Sequence, residues 1–391
     1  MSDKKKHLSP SVIISALLVP AYTAACIYLY YRYLGWTEGA VYESDLPGHI
    51  SLALDDKLIY SLISLIIIGL DKIGIMKVLP VLLGVFAALS VMFTSFLITE
   101  ITDKKIPGPA ADILAVCLNI FMPCYIRGLS SGRYMGMHTS SIWHNSTYLM
   151  MKWLGLWTLL IYIKIEKDIS EKLTVKSFAL FTLVLTLTTA AKPSFFLAVT
   201  PVMFIYLIID LVKKTAPAGR LILFASSVIP SFAVMIVQKL ALYNINAGDD
   251  HIILAPGKAM GIHAGNILAV SILSIAFPLM VLLIHLKDLL KNRYLLFAWM
   301  SAGFGYLEYF LLGEEGHRNM DANFSWGYAF TIILIFGISL IMWIEDLRRT
   351  GKSKLMAVYL GFCGVVLAYH TYCGVLFFVR IVRGVSYMMW G

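Results

Sequence analysis

The sequence predicts an all-α polytopic membrane protein, a single transmembrane domain over residues 1–391. Three observations carry that prediction. The chain is 59% hydrophobic and only 14% charged, where soluble domains carry about a quarter charged residues. Its mean hydropathy is +0.79. Its apolar residues run on for about 20 positions at a time, enough helix to cross a hydrocarbon core roughly 30 Å thick, and do not alternate as porin strands would. A soluble enzyme, a disordered chain and a disulfide scaffold are thereby excluded. The formal charge of +9 calls for no nucleic acid, because the basic residues gather at the ends of apolar runs, where they orient a protein in its membrane.

Taken in order, the basic start at 1–7 and the apolar run that follows read as a retained signal anchor, too long for a signal-peptide core. Eleven spans are expected, at 12–34, 76–97, 110–125, 148–165, 178–191, 194–212, 221–241, 267–286, 294–312, 328–344 and 355–379. The pair at 178–212 is divided at Pro193, because proline breaks a helix there and lysines lie on both flanks. A shorter apolar run at 58–70 suits a helix lying in the membrane interface. Lysines and arginines at 4–6, 104–105, 172–176, 213–220, 287–293 and 348–354 then share one side. The positive-inside rule makes that side cytoplasmic, with the N-terminus inside, the C-terminus outside and the chain in the plasma membrane. Cys26, Cys117, Cys124, Cys363 and Cys373 fall in or beside spans and read as small packing residues.

On this topology the cytoplasmic connectors are plain, whereas the external segments 35–75, 126–147, 242–266 and 313–327 form the candidate active face. Six of the nine histidines fall on that side (His49, His138, His144, His251, His263 and His317). Orientation alone does not predict such a concentration of histidine and carboxylate, so a site is expected there. In the first segment Glu43-Ser44-Asp45 is followed by His49, which is placed to orient Asp45 or to contact a phosphate. In the second, Arg133, His138 and His144 supply positive charge among Gly, Ser and Thr donors. Lys192, at the break between two short spans, is costly at membrane depth unless paired, and is a functional candidate for that reason. The third segment holds Asp249-Asp250-His251 and His263, and the fourth holds Glu314, Glu315 and Arg318 with Trp326 as a stacking platform.

A carboxylate just after the first span, followed by an interfacial helix and a second span, resembles the first external loop of the GT-C glycosyltransferases. The resemblance covers the topology and about 40 residues of loop. It implies a sugar taken from a polyprenyl-phosphate donor on the outer face and passed to a glycan, lipid or protein acceptor. By the same resemblance Asp45 is the general base. No cofactor is expected, although an acidic pair one residue apart can hold a divalent metal, here Glu43 and Asp45. The runs I-W-H-N-S-T, A-K-P-S-F and N-F-S-W-G-Y also resemble segments of uncharacterised bacterial membrane proteins from polysaccharide clusters.

Two other functions fit the residues. A glycan polymerase or ligase with a lipid-diphosphate donor would rely on the external Arg and His. A lipid or glycolipid transporter would need polar groups along its path, and only Glu308, Lys152 and His370 lie near mid-span. Phosphate-cradling and dinucleotide-binding glycine motifs, the H-E-x-x-H zinc motif and the G-x-S-x-G elbow are absent from the sequence. A lipid-linked donor fits the missing nucleotide loop.

Overall fold

A computed structural model of the chain describes residues 9–36, 41–131, 136–245, 250–318, 321–349, 351 and 353–388. Each of the eleven apolar segments coincides with helix: α1 (Pro10–Tyr33), α4 (Leu79–Ile101), α5 (Gly108–Ile120), α6 (Ser146–Asp168), α7 (Val175–Ala191), α8 (Ser194–Lys213), the pair α9 (Ala218–Ser226) and α10 (Ile229–Leu240), the pair α12 (Ile267–Ser274) and α13 (Ala276–Ile284), α14 (Arg293–Leu311), α15 (Ser325–Arg348) and α16 (Lys354–Val382). Within a membrane the backbone must bond to itself, so continuous apolar runs resolve as helix. Among the described residues seven helices are long and apolar enough to cross a membrane, α9 and α10 taken as one, and eight if the bent α12–α13 pair is counted as a single span. The apolar helices α5 and α7 are shorter, at 13 and 17 residues.

Helices α6 and α15 form the centre and are mostly buried, whereas α1 and α16 turn long apolar faces outward (Leu17, Phe362, Val365). Outward apolar faces of that extent suit contact with lipid rather than water. Pro193 ends α7 as expected: Lys192 is extended, the conformation a following proline favours, and α8 restarts at Ser194.

Besides the short interruption between α9 and α10, two expected spans are not continuous. The segment 110–125 is helical only to Ile120, after which Phe121 turns extended ahead of Pro123. The segment 267–286 bends by 71° at Ile275. Both breaks meet at His370 of α16. Its Nδ1 pairs with the Met122 carbonyl at 2.7 Å and its Nε2 accepts the Phe277 amide at 3.4 Å, so the backbone groups freed by the breaks keep partners.

In the segment expected as the second external loop, residues 126–129 are exposed, whereas 136–145 are all buried. Thr139 and Ser141 bond the Phe121 carbonyl, Lys152 donates to the Ser140 carbonyl at 2.8 Å, and Trp143 donates to Tyr22. Two short helices, α2 (Leu46–Leu54) and α3 (Leu62–Lys72), cover the first segment, α3 coinciding with the apolar run at 58–70. The third and fourth segments join as an antiparallel pair, β1 (His251–Leu254) with β2 (Leu312–Glu315), next to α11 (Lys258–His263). After α16 the chain returns to the residues that follow α1, where Ser386 meets Glu43. The start of α1 and the end of α16 therefore lie at opposite ends of the bundle.

Candidate functional site

Asp45 immediately precedes α2, whose second residue is Pro47, yet its carboxylate makes no capping bond to that helix. It faces the other way. Oδ2 accepts from the Asn145 side-chain amide at 2.8 Å and lies 3.9 Å from His144 Nε2, and Oδ1 accepts from the Tyr387 hydroxyl at 3.0 Å. Each carboxylate oxygen can take about two hydrogen bonds. With 32% of the Asp45 side chain exposed, acceptor capacity remains on the open side.

Each partner is fixed from behind. Asn145 caps α6, its Oδ1 accepting the Tyr148 amide at 2.9 Å and the Thr147 hydroxyl at 2.7 Å. The His144 ring is buried and stacks on the Tyr387 ring, centroids 3.8 Å apart and planes 13° apart. Ser44 ties the segment down by donating to the His144 carbonyl. Thr147 also receives Lys192 Nζ at 3.1 Å, and that ammonium sits 4.7 Å over the face of Trp326.

Burial acts to raise Asp45, but His144, Asn145, His49 and Tyr387 together hold its carboxyl below the usual carboxylate range. Burial also pushes the His144 and His49 imidazoles down to about 4, so both rings are neutral at pH 7. At that pH the donors Asn145 and Tyr387 are what favour the ionised carboxylate. Burial lowers Lys192 to about 8 against the pull of Asp45, Glu314 and Asp321, which leaves it mostly protonated at neutral pH.

The remaining candidates divide. His49 Nδ1 is 2.7 Å from Ser146 Oγ, and no direct hydrogen bond joins the ring to Asp45 among the described residues. Glu43 accepts from Ser386, whereas Asp45 accepts from Asn145 and Tyr387. Among the described residues no group of three or more His, Cys, Asp or Glu side chains gathers for a metal. Arg133 lies outside the described residues. His138 is buried and edge-on to Tyr309 and Tyr328, with neither ring nitrogen bonded among the described residues, and so is not a surface phosphate contact. His263 is buried at the end of α11, where its carbonyl accepts from Ser131.

Glu314 is buried and receives Tyr243 and the Asn323 amide, whereas Glu315 is exposed beside His251 and Lys258. Arg318 pairs with Asp250 at 3.4 Å, not with either glutamate. Trp326 is 5% exposed and carries Lys192 on its face, which makes it a seat for the cation rather than an open platform for a sugar. The electrostatics of Lys192 nonetheless join both groups, since it responds to Asp45 on one side and to Glu314, Asp321 and Arg318 on the other.

The sequence reading missed Asn145, Thr147, Asn323, Tyr243 and Tyr387. Asn145 had a local signal, an Asn ahead of an apolar helix. Tyr387 had none, because its partner is 342 positions away. The chain matches no protein-family model and no curated protein.

Proposed function

We propose that the chain is a membrane glycosyltransferase of GT-C type, with eleven crossings, N-terminus cytoplasmic and C-terminus outside, acting on the extracytoplasmic face with a polyprenyl-phosphate sugar donor. One observation carries the reading: an ionised, part-exposed carboxylate, Asp45, is linked through Asn145 and Thr147 to a protonated lysine, Lys192, that has no carboxylate within ion-pair distance among the described residues. An acceptor hydroxyl delivers its proton to the open side of Asp45 as its oxygen attacks the anomeric carbon. The sugar–phosphate bond breaks, and the phosphate leaves with its new charge met first by Lys192. An inverting glycosidase uses a carboxylate in the same role, on water. Arg318 contributes less, since Asp250 already balances it.

The lipid that copurifies with the protein, and its activity on polyprenyl-phosphate sugars, test the reading. A bound polyprenyl monophosphate with transfer abolished by Asp45→Asn is the expected result. A diphosphate carrier, with turnover unaffected by Asp45→Asn, would move the assignment to a polymerase or ligase.

A further inference from the structure

The C-terminal segment that follows α16 is held at three places. The Tyr42 hydroxyl donates to the Val382 carbonyl at 3.3 Å, Ser386 donates to Glu43, and Tyr387 donates to Asp45 while stacking on His144. Gly384 makes the turn between the first two. Its φ is +87°, and a Cβ there would lie 2.6 Å from the Tyr42 ring. Only glycine meets both conditions without strain. At 8% exposed, Tyr387 belongs to the hydrophobic core although it lies beyond the last helix.

We propose that this segment is a strap that completes the site, and that Tyr387 is a positioning residue for Asp45. A carboxylate with one neutral donor can still rotate about that bond. A second donor on the other oxygen fixes the plane of the group and therefore the direction of its remaining lone pairs. Asn145 holds one oxygen from the start of α6, and Tyr387 holds the other from the end of the chain. The ring cannot swing away without losing its stack on His144, so the hydroxyl is presented at a fixed place. The exposed part of the Asp45 side chain keeps its approach open, so the strap lies beside the reacting oxygen and does not cover it. The catalytic part of this inference rests on the glycosyltransferase reading. The structural part does not.

Tyr387→Phe removes the hydroxyl and leaves the ring. Because that hydroxyl donates to the Asp45 carboxylate, the substitution should lower the melting temperature by about 2 to 3 °C in the natural protein and by less than half as much beside Asp45→Ala. Equal losses in the two backgrounds overturn the strap. Hydrogen exchange gives a second reading: Tyr387→Phe should speed exchange in Leu46–Leu54 and leave α14 unchanged, and uniform exchange overturns the proposal. In a transfer assay Tyr387→Phe should reduce kcat about tenfold with KM moved less than twofold, the split expected when geometry, not binding, is disturbed. Faster turnover in Tyr387→Phe would mean that the segment covers the acceptor position, which also overturns the strap. Coupling to Asp45 in a protein without any transfer activity would leave the strap in place and remove the glycosyltransferase reading.

Discussion

The two ends of the bundle are both rich in charge but dispose of it in opposite ways. At the end holding the start of α1, charges close on one another. Arg293 pairs with Glu166 and with Asp210, the latter at 3.0 Å. Lys167 pairs with Glu100 at 2.8 Å, and His285 lies 2.8 Å from Asp346. At the other end Asp45 is held by neutral donors and Lys192 by a hydroxyl and an aromatic face. A closed ion pair offers a ligand little, because binding must first break it. Charges kept by neutral groups retain their field for a substrate. Closed pairs occur at the Asp45 end too, Arg318 with Asp250 and Glu315 with Lys258, but Asp45 and Lys192 are held by neutral groups.

The largest effect that sharpens this contrast is at Asp45. Asp45→Asn should slow transfer by roughly 100- to 10,000-fold, the worth of a general base, with the melting temperature close to that of the natural protein. Kinetics together with a melting curve check both halves. Glu43→Gln and addition of a chelator should leave most of the activity, since Glu43 is bonded by Ser386 and Asp45 by Asn145 and Tyr387. If both abolish activity, a metal holds the two carboxylates during turnover.

Next comes Lys192. Its replacement by methionine should raise the donor KM about tenfold, by removing a partner of the phosphate that acts before as well as during the reaction. Burial brings its pKa to about 8, so in the natural protein the donor KM should climb as pH rises through 8. A flat profile across that range breaks the comparison.

At the opposite end, Asp210→Asn should cost about 2 kcal/mol of stability, less than a fully buried pair because Arg293 is 38% exposed, and leave the donor KM unchanged. A changed donor KM would show that this end also takes part in binding.

The smallest effect concerns acid stability. Burial lowers His138 to about 4, against an ordinary value near 6.5. Between those values the unfolded chain binds the proton and the folded one does not, so this contribution to stability is lost as pH falls from about 6.5 to 4. His138→Phe fills the same space between Tyr309 and Tyr328 without a titrating group. It should blunt the fall in melting temperature over that range, and an unchanged slope would remove His138 as its source.

By itself the sequence determined which runs become helical, because a backbone in lipid has no partner but itself and a long apolar run therefore resolves mainly as helix. It also marked Asp45 and Lys192 as candidates, one by its place after the first span and one by the cost of a lysine beside Pro193. Only the tertiary structure decided how those two residues are held. The burial of 136–145, the bend at Ile275 over His370 and the joining of β1 to β2 depend on contacts between distant segments. Tyr387 reaches Asp45 across 342 positions. Local propensity cannot encode such contacts, since each is decided by which helix faces pack and by which buried polar groups must then find partners.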